Sequence, residues 1–164
     1  MSQVAGYFYA SLKAATVRRL EEVVMSGANK RTIRRVREVA MRKAMLDKLD
    51  GLYTDDYIYH GIPMLGDLRG PIAFKEMAKG FIDAVSEFQE TVEDQIAEGD
   101  KVVTRVTGRG KHTGALMGAA PTGKELKWSA ISITRFVDGR IAEEWVEFDA
   151  LNFLQQLGAL PQMT

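Results

Sequence analysis

Apolar positions along the first third of the chain recur with a helical period. In residues 16–26, Val17, Leu20, Val23 and Val24 fall on one face, and Gly27 offers a stop. Asn29 suits the N-cap of a second helix reaching about Leu49. Its stripe is Ile33, Val36, Val39, Ala40, Met41, Ala44, Met45 and Leu49. Tyr53–Ile62 is rich in aromatic and β-branched residues and predicts a short strand. Gly70-Pro71 opens a third helix to about Phe88, with Phe74, Met77, Ala78, Phe81, Ile82 and Val85 at helical spacing.

The period then changes to two. Thr91–Ala97, Lys101–Lys111, Glu125–Val137 and Arg140–Phe148 predict strands, with turns at Gly99-Asp100 and Asp138-Gly139. Ala150–Leu157 predicts a short helix that Gly158 and Pro161 end. Helices followed by an antiparallel meander predict an α+β domain, helices packed on one face of a curved antiparallel sheet. A pocket between sheet and helices is then the expected place for a small molecule.

No repeat, low-complexity tract or proline-rich linker divides the chain, so residues 1–164 are expected to form a single domain. Net charge is zero but uneven. Residues 1–50 hold 11 Lys and Arg against 5 Asp and Glu, a basic helical extension of +6 balanced by −6 in the remainder. The basic residues are interleaved with helical apolar ones rather than with glycines and aromatics, which argues against nucleic acid as a partner. Self-association into a homodimer or larger assembly is expected instead, since the two charged regions are complementary. With no cysteine, disulfides and thiolate chemistry are excluded. No apolar run approaches the roughly 18 residues that cross a bilayer, and the N-terminus lacks the form of a secretory signal. A cytoplasmic location with no membrane partner is the expectation.

The two histidines, His60 and His112, both lie near strand ends. If the alternation of Val102, Thr104, Val106 and Gly108 continues, His112 points inward; a bulge at Gly108-Arg109-Gly110 would re-aim it. On the last strand, alternation puts Ile141, Glu143, Trp145, Glu147 and Asp149 on one face and Ala142, Glu144, Val146 and Phe148 on the other. If the acidic face lines a cavity, burial raises the pKa of at least one acid and equips it for acid–base work. If it faces water, it is a solubilising stripe. Asp149 also immediately precedes ALNFLQQL, where it suits an N-cap, and a capping carboxylate is a poor base unless apolar surroundings offset the cap. No spacing of His and acidic residues suggests a metal site, and neither a phosphate-binding loop nor a Gly-x-Ser-x-Gly turn occurs. No metal or cofactor is expected.

Four pieces coincide in order: YIYHG with His60, EGDKVVTRVTGRGKHTG with His112, PTGKEL, and DGRIAEEWVEFDALNFLQQLG with Asp149. Together they resemble the SnoaL-like polyketide cyclases of the nuclear-transport-factor-like cone fold, over residues 52–161. The resemblance implies a cone-shaped α+β barrel, often dimeric or tetrameric, and a cofactor-independent intramolecular aldol ring closure on a hydrophobic polyketide-like carbonyl compound. It implies Asp149 as the acid–base residue, with His112 and His60 as pocket histidines. Trp145, Glu143, Glu147, Tyr59 and Trp128 complete the expected pocket. The same fold also hosts isomerases, dehydratases, epoxide hydrolases and binding proteins without turnover, which are the alternatives. Where family members often have Pro-Asp after the third helix, this chain has Val85-Ser86-Glu87-Phe88.

Overall fold

A computed structural model describes residues 2–40, 43–61 and 66–161. Its elements are α1 (Ser2–Ala40), a 3-10 helix (Lys43–Leu49), β1 (Tyr53–His60), β2 (Leu68–Arg69), α2 (Gly70–Ala84), β3 (Val85–Glu98), β4 (Lys101–His112), β5 (Glu125–Val137), β6 (Arg140–Phe148) and α3 (Ala150–Leu157). Met41 and Ile62, placed by the sequence at a helix stripe and a strand end, lie outside the described residues.

The two N-terminal helices expected from the sequence are one. Gly27 does not stop α1, although a helical glycine costs about 1 kcal/mol relative to alanine. Asn29 is no cap: it is buried on the face that carries Ile33, Val36 and Val39. These side chains anchor the C-terminal part of α1, and tertiary packing overrides the local break signal. Val17, Leu20, Val23 and Val24 share a helix face as the spacing predicts, but that face is not covered within the chain, because residues 11–25 are exposed throughout.

The expected third helix also ends early. Val85 takes an extended conformation as the C-cap of α2 and begins β3, six residues before the predicted strand start at Thr91. An irregularity at Ser86–Gln89, with Glu87 at φ 53°, turns Phe88 and Glu90 toward the helices.

The six strands form one open sheet in the order β2-β1-β6-β5-β4-β3. The sheet is mixed rather than purely antiparallel: β1 runs parallel to β6, while every other neighbouring pair is antiparallel. Asp138 and Gly139 both have positive φ, 50° and 74°, the two-residue hairpin geometry expected between β5 and β6. One core cluster joins α1, β1 and Phe74 through Tyr53, Tyr57 and Tyr59; a second joins α2, Leu126, Phe153 and Leu157. The helices cover one face of the sheet, in the expected cone-shaped α+β arrangement. Among the described residues, no helix is long and apolar enough to cross a membrane.

Candidate functional site

Between the helices and the concave face of the sheet lies a cavity of about 190 Å³. Its apolar wall comes from α1 (Ile33, Val36), α2 (Phe74, Met77, Phe81), β3 (Phe88), β5 (Trp128, Ala130), β6 (Val146, Phe148) and α3 (Phe153). Trp128 stacks on Phe88 with ring centroids 5.4 Å apart and meets the edges of Phe81 and Phe153. Gly108, paired with Trp128 across β4 and β5, makes this possible. A Cβ there would fall 2.1 Å from the indole Cε2.

One end of the cavity is polar. Arg37 on α1 donates from Nη2 to Glu144 Oε1 at 3.1 Å and to Ser132 Oγ at 3.2 Å, and from Nη1 to Glu90 Oε2 at 3.5 Å. Tyr57 donates its hydroxyl to Glu144 Oε2 at 3.1 Å. The side chains of Glu90 and Glu144 keep only 8% and 9% of their surface exposed. Two buried carboxylates thus share one guanidinium. Burial opposes the Arg37 charge, but Glu90 and then Glu144 outweigh it and hold its pKa above the ordinary arginine value. Burial, reinforced by Glu144, pushes the Tyr57 and Tyr59 hydroxyls well up, so both are proton donors at neutral pH.

The residues expected from the sequence divide between this cavity and other places. Tyr59 and Trp128 line it. Glu143, Trp145 and Glu147 do not, because β6 carries a bulge. Ile141 pairs with Phe136 and Glu143 with Arg135, leaving Ala142 as an extra residue. The alternation reverses there, so Ile141 shares the cavity face with Glu144, Val146 and Phe148. The acidic stripe takes the outer face, and the β6 acid in the cavity is Glu144, which the alternation placed on the face opposite that stripe.

His60 follows the stripe outward. Its Nδ1 lies 2.8 Å from Asp67 Oδ1, its Nε2 lies 3.1 Å from Glu143 Oε1, and its ring stacks on Trp145 at 5.5 Å. Burial lowers its pKa, but the hydrogen bonds to Asp67 and Glu143 prevail and raise it. Glu143 shifts the opposite way: burial raises its pKa, while hydrogen bonds to His60 and Arg135 bring it below the usual carboxylate value.

His112 does point inward. The β4–β5 register runs unbroken from Lys101 to Lys111, and the ring is fully buried. It does not line the cavity, however. Its Nδ1 accepts from the Thr122 backbone N–H at 3.3 Å and lies 3.1 Å from Thr122 Oγ1. That assigns the neutral-ring proton to Nε2, which has no partner among the described residues. The ring and its own backbone tie β4 to the Gly118–Gly123 connection.

Asp149 is the N-cap of α3, with Oδ1 accepting from Asn152 N at 3.0 Å. It is exposed and lies in a shallow depression with Arg109, Lys127 and Asn152. Trp128 separates that depression from the cavity and touches both. Among the described residues no cluster of His, Asp and Glu could hold a metal ion.

Arg37, Glu90 and Glu144 are the site residues that sequence reasoning missed. The available signal was arginine on the helix face of Ile33 and Val36, an anomaly on a stripe otherwise apolar.

Known proteins are similar to this chain in sequence and in fold. Nogalonic acid methyl ester cyclase of Streptomyces nogalater is 29% identical over 122 residues, covering 73% of this chain and 90% of that protein. Among solved structures, IdmH of Streptomyces antibioticus is 29% identical with a TM-score of 0.68, covering 79% of this chain and 98% of its own. AclR of Streptomyces galilaeus is 25% identical with a TM-score of 0.71, covering 85% of this chain and 86% of its own. The sequence model of the SnoaL-like polyketide cyclases matches residues 30–157, from the buried part of α1 to the end of α3. That span contains every element of the cavity, and the chain belongs to the SnoaL-like polyketide cyclase family.

Proposed function

We propose that this protein closes a ring in a hydrophobic, polyketide-like carbonyl compound by cofactor-independent acid–base catalysis in the cavity. The observation that carries the reading is the buried group of Arg37, Glu90, Glu144 and Tyr57 at one end of an otherwise apolar, aromatic-lined space. A fused aromatic substrate suits the Trp128–Phe88 wall. The likeness to a methyl ester cyclase supports a carbonyl compound of that kind.

Glu90 is the proton acceptor. Glu144 has both oxygens engaged, by Arg37 and Tyr57, whereas Glu90 bonds through Oε2 alone among the described residues. Glu90 takes a proton from the carbon beside one carbonyl. The enolate carbon attacks a second carbonyl of the same molecule, a C–C bond forms, and the resulting alkoxide recovers the proton from Glu90. Among the described residues Arg37 spends three of its five N–H donors on Glu90, Glu144 and Ser132, which leaves two for the enolate oxygen. Glu144 positions the guanidinium.

Asp149, the acid–base residue that the family resemblance implies, favours a second reading. A carboxylate engaged in capping α3, outside the cavity, is what a binding protein without turnover would retain. Incubation with aromatic polyketide esters and product analysis separates the two. Glu90→Gln should reduce turnover by roughly 10²-fold or more, and Asp149→Asn, which keeps the cap, should leave it within a few-fold. Loss of turnover in Asp149→Asn with retention in Glu90→Gln would return the base to Asp149. Tight ligand binding with no product from any compound would establish the binding reading.

A further inference from the structure

Ring closure of the kind proposed above places negative charge on two oxygens in turn, first the enolate and then the alkoxide. Arg37 has N–H groups for the first. The second needs a donor of its own, and the polar end of the cavity offers several hydroxyls. Tyr57 spends its proton on Glu144. Ser132 accepts from Arg37 and is not part of the cavity wall. Thr134 lines the cavity, but its Oγ1 is sealed away from accessible space. Tyr53 Oη is sealed in the same way, and Tyr53 is not part of the wall. Tyr59 is different: it lines the cavity, and its hydroxyl is neither sealed nor hydrogen-bonded among the described residues.

The structure fixes this phenol firmly. The β1–β6 register sets Tyr59 beside Glu144, on strands about 4.8 Å apart. Its ring packs against Phe74 at 5.6 Å. A Cβ on Gly61 would fall 2.6 Å from the Tyr59 hydroxyl, so the glycine leaves the phenol its room. Burial and the charges of Glu144 and Glu90 hold the proton on the hydroxyl, with Arg37 opposing, and the influence of all three charges locates it at the polar end. A largely buried hydroxyl with its proton unspent is uncommon in a folded protein.

Resting on the ring-closure reading, we propose that Tyr59 is a further catalytic residue, whose hydroxyl donates a hydrogen bond to the carbonyl oxygen that the enolate carbon attacks. As the C–C bond forms, the π pair of that carbonyl moves onto its oxygen. Tyr59 keeps its own proton and stabilises the alkoxide until Glu90 returns the proton it took from carbon. The same hydroxyl selects among ligands. A carbonyl oxygen at this end satisfies it, whereas a hydrocarbon of the same shape leaves it unpaired.

Tyr59→Phe tests the proposal, since it keeps the ring and removes only the hydroxyl. On a compound that the native protein cyclises, kcat should fall by about 10²-fold and KM should stay within about threefold, because the donor matters most where charge develops. Tyr53→Phe removes a phenol under the same charges but outside the wall, and should keep kcat within about twofold. Thermal melts should show both variants as stable as the native protein, because neither hydroxyl has a partner to lose among the described residues. Calorimetry with the bicyclic ketone tetralone and its hydrocarbon tetralin reads the hydrogen bond without turnover. Tyr59→Phe should weaken the ketone by about 5–10-fold and leave the hydrocarbon unchanged. Full kcat in Tyr59→Phe beside an inactive Glu90→Gln overturns the role of Tyr59 and leaves the ring-closure reading standing. A native protein that cyclises nothing removes that reading, and the ketone arm then decides on Tyr59 alone: weakening of both ligands, or of neither, overturns it. A kcat loss that follows a lowered Tm, or one matched by Tyr53→Phe, overturns it as well.

Discussion

Arg37→Met is the sharpest test of how the cavity's polar end is held together. Arg37 is the cation shared by Glu90 and Glu144, and methionine keeps its length and flexibility without its charge. Removing one partner of a buried ion pair costs about 3–5 kcal/mol, because a charge is left without compensation in a poorly polarisable setting. The Arg37 side chain keeps 22% of its surface exposed, so water can approach from its side and the lower end, about 3 kcal/mol, is expected. In a domain of this size each kcal/mol moves the Tm by about 2–4 °C, so the variant should melt about 6–12 °C below the native protein. Urea titration at neutral pH measures the loss directly. The triple variant R37M/E90Q/E144Q removes the two orphaned charges along with the cation and should recover most of it. A loss under about 1 kcal/mol in Arg37→Met, or a triple variant no more stable than the single one, would refute this account of the site.

Two other perturbations read the remaining structure. Gly108→Ala drives a methyl group against the indole of Trp128 and should cost about 1–3 kcal/mol by overpacking, with altered tryptophan emission as the ring leaves Phe88; native stability and emission together would contradict that packing. His60→Gln tests the outer cluster through pH. Because the folded His60 pKa is raised above 6.5, its contribution is full below that value and is lost as pH rises through the folded pKa. The Glu143 pKa is lowered, so its share is present above 4.5 and is lost as pH falls through the folded value. The stability gap between native and His60→Gln proteins, followed by thermal melts, should therefore be widest near pH 5.5 and narrow toward pH 9; a gap that widens with pH would show that His60 is not held charged.

The elements whose borders follow from local chemistry were legible in the sequence. β5, β6 and α3 lie where period-two alternation, the Asp138-Gly139 pair and the Asp149 cap place them. The N-terminal half was misread because its borders are tertiary. Gly27 carries a genuine stop signal, but burial of Asn29, Ile33, Val36 and Val39 against the sheet outweighs about 1 kcal/mol of helix propensity. Phe88 continues the helical spacing of α2 and still belongs to β3, since one aromatic position satisfies both periods and only the partner strand decides between them. The parallel pairing of β1 with β6 joins segments too far apart for any short-range pattern to reveal.

The candidate site was less legible, for a reason that lies in one residue. Alternation is a reliable guide to a strand's faces only while each residue has an opposite number. Ala142 has none, and a single insertion of this kind exchanges every assignment beyond it. Its effect is to send Glu143, Trp145 and Glu147 to the outer face with His60 and to bring Glu144 against Arg37 and Tyr57. The bulged residue is small and buried, 7% exposed on a strand between two others. Without it, Glu144 would project outward and Trp145 into the cavity, and Arg37 would lose the closer of its two carboxylates. The bulge thus separates two charged clusters that the sequence presents as one stripe. The inner one forms the polar end of the cavity, where we propose the acid–base work, and the outer one lies on the opposite face of the sheet.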